Sequence, residues 1–217
     1  MADKKVPRTQ TYITESQLTQ AFTQAWRKLF STIPTKKQIA ILLAQNALET
    51  NHSKNMYNFN IGNITHSTGD GFDYFQFDKP LMEQVSKGNW KAQEMHFRAY
   101  PSLEEGVEDY LNNLKKRGKG SVWKEISKED PAAFSKALKN SGYYTDNEED
   151  TVDPITGKVQ RGYTSNVVSL TDHFAKSKDL NNPNHEFAES AANPTVADTS
   201  NASTISQLLD AWKNLMG

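Results

Sequence analysis

The chain contains no cysteine. That excludes a disulfide framework, a thiol nucleophile and any thiolate metal site. It also lacks a dominant charge of one sign, with a formal net charge of −1 at pH 7. Residues 1–120 carry 16 Lys/Arg against 12 Asp/Glu, an excess too small to argue for a nucleic-acid partner. No apolar run approaches the roughly 20 residues that a membrane-spanning helix needs. The opening Met1-Ala2-Asp3-Lys4-Lys5-Val6-Pro7-Arg8 has no apolar centre and does not read as a secretory signal. His52, His66, His96, His173 and His185 show no metal-ligand spacing, so neither a metal nor another cofactor is expected.

What is present describes one good-sized domain with an appendage. The 217 residues are 36% hydrophobic and 24% charged. Ala40-Ile41-Leu42-Leu43-Ala44-Gln45-Asn46-Ala47-Leu48-Glu49-Thr50 is the stretch around which the rest is organised. Thr35-Lys36-Lys37-Gln38 supplies a capping box at its start. Ile39 to Leu43 is apolar at every position, which suits a helix enclosed on most sides. Leu42, Gln45 and Glu49 share one face, so a carboxylate projects from the last turn of an apolar helix. The negative end of the helix dipole and burial both favour the protonated acid there. Acid-catalysed cleavage of a glycosidic bond needs such a group. A solvated helix-end glutamate is the competing reading.

The flanking sequence is mostly helical. Residues 1–12 read as a polar, poorly ordered leader. Thr14-Glu15-Ser16-Gln17 is a second capping box, and Leu18, Phe22, Ala25, Trp26, Leu29 and Phe30 define a helix over about residues 15–30. After Glu49 the chain turns Asn-rich, and Tyr57, Phe59 and Ile61 alternate as if to begin a short strand. Thr68-Gly69-Asp70-Gly71 is turn-like, and Phe72 to Phe77 alternates as a small β-lobe ending at Lys79-Pro80. Ser102 to Glu105 forms a third capping box, ahead of Val107, Tyr110, Leu111 and Leu114. Lys115-Lys116-Arg117-Gly118 ends that helix as the dipole and C-cap rules require. Asp130-Pro131 opens another helix, stopped at Ser141-Gly142. Val167, Val168, Leu170, Thr171 and Phe174 mark a last core helix. Asp146 to Gly162 is an acidic surface excursion whose spacing matches no EF-hand calcium loop. Residues 178–202 have the composition of a linker. Ile205, Leu208, Leu209, Trp212, Leu215 and Met216 then form one apolar stripe over residues 203–217. A helix that short needs a surface to dock on: its own domain, another copy or a partner protein.

Four segments, in order, resemble the bacterial and phage N-acetylglucosaminidases that cut peptidoglycan. Ala44-Gln45-Asn46-Ala47-Leu48-Glu49-Thr50 looks like their Ala-Gln-x-Ala-Leu-Glu-Ser/Thr segment. Asn58-Phe59-Asn60-Ile61-Gly62-Asn63-Ile64 is similar to their Asn-x-Phe-Gly-Ile-Lys segment. His96 to Glu105 resembles Phe-Arg-x-Tyr-x-Ser-x-x-Glu, and Gly142-Tyr143-Tyr144-Thr145-Asp146 resembles Gly-Tyr-Ala-Thr-Asp. A tyrosine that follows in the family corresponds to Tyr163, beyond an insertion. Together they span roughly residues 15–175.

The resemblance implies a mainly α (α+β) protein. Residues 13–177 would form a lysozyme-like helical domain with a small β-lobe flanking a glycan cleft, followed by the linker and the C-terminal amphipathic helix. It implies that Glu49 is the general acid, with Tyr144 and Asp73 as further catalytic candidates. It points to Gln45, Asn58, Phe59, Asn63 and Tyr163 for substrate binding, and it gives Arg98 an architectural role. Family members often carry a second carboxylate in a Thr-x-Glu on the lobe. No such segment occurs here, and Asp70, Asp73, Asp78 and Glu83 are the candidates.

The implied activity is hydrolysis of peptidoglycan between GlcNAc and MurNAc. A lytic transglycosylase or muramidase using a single glutamate is one alternative, and a non-enzymatic scaffold for virion assembly is another. The expected setting is a phage lysis or virion-associated enzyme. Residues 203–217 would serve self-association or contact with other virion proteins, without nucleic acid or a membrane span.

Overall fold

Helix α2 (Lys36–Thr50) is the axis of the protein in a computed structural model that describes residues 3–86, 89–144, 147–182 and 185–188. The Thr35 hydroxyl accepts from the Gln38 N–H, and the Gln38 side chain returns to the Thr35 N–H, so the expected capping box is closed on both sides. Every residue from Ile39 to Ala47 is buried. Helix α2 packs along α6 (Tyr163–Ala175), with α1 (Glu15–Phe30) and α4 (Ser121–Ser127) against its other faces. Each fully buried leucine or isoleucine here contributes about 1.5–3 kcal/mol over an exposed one. The helix stops at Asn51, which adopts a left-handed backbone (φ 49°) and caps back to the Ala47 carbonyl.

Helix α1 covers the expected residues and closes its own capping box at Thr14. It packs on α3 (Leu103–Lys116), where the Phe22 and Tyr110 rings lie 5.9 Å apart. The third capping box forms only in half: the Ser102 hydroxyl accepts from Glu105 N–H, while the Glu105 side chain is exposed. Helix α4 is a short element that the sequence pattern does not announce, because Val122 and Ile126 alone carry its buried face. Positive φ at Gly118, Lys119 and Gly120 separates it from α3. Helix α5 (Pro131–Asn140) starts at Asp130, whose carboxylate accepts from the Ala133 N–H.

The β-lobe is larger than the aromatic alternation suggests. Strand β1 (Asp73–Gln76) pairs antiparallel with β4 (His96–Ala99), not with a neighbour before Pro80. Between them β2 (Leu81–Ser86) and β3 (Asn89–Gln93) form a separate hairpin. Pro80 therefore turns the chain into a second hairpin instead of ending the lobe. The lobe has its own small core of Phe75, Phe97 and Ala99, with Val6, Tyr57, Phe77, Leu81 and Met95 packed around it. The expected strand at Tyr57–Ile61 does not form. Asn58, Phe59 and Asn63 all have positive φ, which an extended strand cannot accommodate. Gly106 permits this turn, because a Cβ at that position would collide with the Phe59 carbonyl.

Arg98 joins the lobe to the helices, as expected of an architectural residue. Its guanidinium donates to Asp70 Oδ2 (2.9 Å) and Asp109 Oδ2 (2.7 Å), and the Tyr100 hydroxyl donates to the same Asp109 oxygen (2.6 Å).

Residues 3–12 are not a loose leader. Val6 N–H donates to the Tyr74 carbonyl and Tyr74 N–H to the Lys4 carbonyl, adding a parallel bridge at the edge of β1. Thr11 N–H donates to Met56, and Thr9 and Asn58 exchange hydrogen bonds. The reading from composition fails here because the segment's polar backbone is satisfied by tertiary partners.

Residues 147–162 are the surface excursion expected. Exposed strands β5 (Thr151–Val152) and β6 (Val159–Gln160) pair there. Asp153 is occupied by the N–H groups of Ile155 and Thr156, both at 2.8 Å. The apolar stripe over residues 203–217 lies outside the described residues.

Candidate active site

A cleft of about 820 Å³ opens between the helices and the β-lobe. Leu48, Glu49, Asn63, Tyr143, Tyr144 and Tyr163 line its helical side, and Tyr57, Phe77, Leu81, Met95 and Phe97 its lobe side. Among the described lining residues Glu49 is the one carboxylate.

Glu49 sits there because α2 ends there. One turn back, Gln45 is fully buried and its amide donates to Glu49 Oε1 at 3.3 Å. The Tyr163 hydroxyl, from the first residue of α6, donates to the same oxygen at 3.0 Å. The Asn63 amide donates to the Glu49 backbone carbonyl, one of the orphan acceptors at the helix end. Burial pushes the Glu49 carboxyl up to about pH 7, against the opposing hydrogen bonds of Tyr163 and Gln45 and the charge of Arg117. The acid is therefore substantially protonated in the neutral range. Gln45 Oε1 and the Tyr110 hydroxyl, close to it, are likewise buried.

The tyrosines form a fixed wall. Tyr144 and Tyr163 stack with ring centroids 3.8 Å apart and planes at 14°. The Tyr144 hydroxyl lies 3.2 Å from Ser135 Oγ, which bonds Thr164 Oγ1 at 2.8 Å. The Tyr143 hydroxyl donates to the Gly62 carbonyl at 2.7 Å, with the Arg117 guanidinium 4.5 Å from its ring centroid. Gly62 is required there, because a Cβ would press on the Tyr110 ring and the Tyr143 hydroxyl. Burial, then the nearby Glu49 charge, holds both Tyr143 and Tyr163 far above the usual phenol range, so both remain protonated donors.

Of the residues selected from sequence, Glu49, Asn63, Tyr144 and Tyr163 come together at the cleft, with Gln45 beneath them. Asn58, Phe59 and Asp73 do not line it. The Asn58 side chain instead holds the N-terminal segment, accepting from Thr9 N–H and donating to the Pro7 carbonyl. Phe59 occupies the left-handed turn, with its N–H directed at Thr11 Oγ1. Asp73 is exposed at the start of β1, where it accepts from Lys4 N–H.

The second-carboxylate candidates separate as well. Burial acts to raise the Asp70 carboxyl, but the Ser67 and Phe72 N–H groups and Arg98 outweigh it and hold it below the usual range. Asp78 is 91% exposed and faces Arg8. Glu83 lies on β2, opposite Lys91 of β3. Asp3, His66 and Asp70 do converge, which the linear spacing of the histidines conceals. Their carboxylates accept from the Gly69, Gly71, Ser67 and Phe72 N–H groups and from Arg98, which ties the N-terminal segment and β4 to this turn.

Sequence reasoning missed Tyr143 and the whole lobe wall. The Gly142-Tyr143-Tyr144 segment was a usable signal for the first. Nothing local marks Phe77, Met95 and Phe97 as neighbours.

A glucosaminidase family model, described as mannosyl-glycoprotein endo-beta-N-acetylglucosaminidase, matches residues 35–193. The chain is similar to a solved mutant of a peptidoglycan hydrolase from Sphingomonas sp. A1, at 22% identity over 76% of this chain and 96% of that one, with a TM-score of 0.48. It is also similar to the glycoside hydrolase domain of FlgJ from Salmonella typhimurium, at 18% identity over 74% and 88% of the two chains (TM-score 0.44). A third likeness is to the catalytic domain of the autolysin Auto from Listeria monocytogenes, at 18% identity over 76% and 88% (TM-score 0.43). A comparison with curated protein sequences finds no match.

Proposed function

The chain belongs to the glucosaminidase family, and on that premise we propose that it cleaves the glycan strand of peptidoglycan, between GlcNAc and MurNAc, with Glu49 as general acid. The observation that carries this reading is a carboxyl raised to about 7 by burial, lining a cleft of about 820 Å³. A protonated Glu49 donates its proton to the glycosidic oxygen as the bond to the anomeric carbon breaks. Tyr163 and Gln45, both on Oε1, hold one carboxyl oxygen and leave Oε2 to carry the transferable proton. The stacked Tyr144 and Tyr163 rings present a polarisable face beside the positive charge that develops on the sugar.

A second reading concerns the step that follows. Glu49 is the single carboxylate among the described lining residues. That favours completion by the substrate's own groups. In a lytic transglycosylase the bond broken is that from the MurNAc anomeric carbon to the GlcNAc oxygen: Glu49 protonates the leaving oxygen, then accepts the proton of the MurNAc 6-hydroxyl as that hydroxyl attacks the same carbon, and an anhydro end forms without consuming water.

Digestion of purified peptidoglycan by wild type and Glu49→Gln, followed by borohydride reduction and mass spectrometry, decides among these. Reduced GlcNAc ends establish a glucosaminidase, reduced MurNAc ends a muramidase, and anhydro-MurNAc ends a transglycosylase. Glu49→Gln cleaving as well as wild type would remove the central residue from the reading.

A further inference from the structure

The lobe wall of the cleft is braced by a residue that precedes the first helix. Tyr57 and Phe77, both cleft-lining, meet edge to face with ring centroids 5.4 Å apart. The guanidinium of Arg8 lies over both rings, 5.1 Å from the Tyr57 centroid and 4.7 Å from that of Phe77. Its acidic neighbour Asp78 stands at 3.4 Å and is 91% exposed, so solvent screens that pair and the rings are the firmer contact.

The segment carrying Arg8 is fixed at both ends. Upstream, Asp3 accepts from the Gly69 and Gly71 N–H groups, and Lys4 and Val6 bridge Tyr74 of β1. Downstream, Thr9 and Thr11 bond Asn58 and Met56, in the loop that follows Glu49 directly. The strap thus ties the β-lobe to the end of the helix bearing the acid. Arg8 sits at its middle, where the two cleft-lining aromatics meet.

The geometry points to Arg8 as a positioning residue: through the strap it sets the placement of Tyr57 and Phe77, and with them the grip of the lobe wall on a sugar ring. This rests on the reading of the cleft as a glycan site. Tyr57 belongs to the loop after α2 and Phe77 directly follows β1. Phe75 of β1 touches both rings, with centroids 6.0 and 6.2 Å away, and Arg8 adds a cation shared by the two. The expected consequence falls on substrate binding and not on proton transfer, because Arg8 contacts neither Glu49 nor the tyrosines of the opposite wall.

The test uses the full chain and solubilised peptidoglycan strands, comparing wild type, Arg8→Gln, Arg8→Lys and Asp78→Asn. Arg8→Gln is expected to raise KM about five- to tenfold, the worth of one partly desolvated cation–π contact, with kcat held within about twofold. Arg8→Lys, which retains a cation over the rings, should recover most of the loss. Asp78→Asn should leave KM within about twofold. An unchanged KM in Arg8→Gln overturns the assignment. So does a parallel fall of kcat and thermal midpoint in Arg8→Gln, which would mark a merely structural contact. If Asp78→Asn reproduces Arg8→Gln, the ion pair and not the ring contact sets the wall. Should wild type release nothing from any peptidoglycan, the functional reading fails instead. A fluorescence titration of the four proteins with glycan strands then still reports whether Arg8 controls binding.

Discussion

The two walls of the cleft differ in chemistry, in origin and in how they are held. The helical wall is polar and rigid: Glu49, Tyr143, Tyr144 and Tyr163 are locked by hydrogen bonds and stacking within one large core. The lobe wall is apolar: Phe77, Leu81, Met95 and Phe97 rest on a core of three buried residues and are secured by Arg98, the strap and Arg8. On the proposed function the contrast is a division of labour. Proton transfer requires a fixed, desolvated acid, which a buried helix end supplies. Gripping a sugar requires an apolar face, which a small lobe supplies at the expense of independent stability.

Four substitutions sharpen or break that division. Glu49→Gln should have the largest effect, lowering turnover by about three orders of magnitude or more with the fold intact. Its stability carries a sign as well. The Glu49 pKa is raised in the folded protein, so the unfolded chain releases its proton first, and wild-type stability falls as pH rises from about 4.5 through about 7. Glu49→Gln removes that loss, so its thermal midpoint should exceed wild type at pH 8 and approach it at pH 4. An identical pH dependence in both proteins would show that Glu49 is solvated.

Arg98→Met comes next. It leaves Asp70 and Asp109 without their cation, and denaturant titration should show a loss of about 3–5 kcal/mol. A loss below about 1 kcal/mol would mean that the lobe stands without this anchor. Asp70 contributes in the same region with a lowered pKa, so its stabilisation is present above the usual carboxylate range and disappears as the medium turns acid.

Tyr163→Phe should be milder. The Tyr163 hydrogen bond favours the Glu49 carboxylate, so removing it raises the Glu49 pKa and moves the alkaline limb of the activity profile to higher pH. A limb that stays in place, or moves down, would detach Tyr163 from the acid. Asp73→Asn should be the mildest, with kcat/KM within about twofold of wild type, as expected for an exposed side chain away from the cleft. A loss of tenfold or more would return Asp73 to the chemistry.

The helical wall was legible in the chain and the lobe wall largely was not. Capping boxes at Thr14 and Thr35, the apolar run Ile39–Leu43 and the Asp130-Pro131 start are local signals, and each produced the element expected. Helical spacing put Glu49 in the last turn of a buried helix, while its selection as the acid came from the resemblance to the glucosaminidases. The alternation of Tyr57, Phe59 and Ile61 misled, because left-handed residues look like any others in a periodicity. Strand β1 found its partner past an intervening hairpin, which no turn signal next to β1 encodes. Residues 3–12 read as a leader because composition records what a segment can bury within itself, not which distant carbonyls its N–H groups will meet.

By itself the sequence determined the longer helices, the starts of those with capping signals and the presence of an acid at the close of a buried one. Those depend on interactions a few residues apart, where propensity, capping and 3.6-residue periodicity act. Only the tertiary structure decided that the acid is desolvated, that Tyr163 reaches it from 114 residues away, and that an N-terminal strap holds the opposite wall. Burial, long-range hydrogen bonds and ring contacts arise from packing, and a pKa or a cleft exists only once those distant parts are brought together.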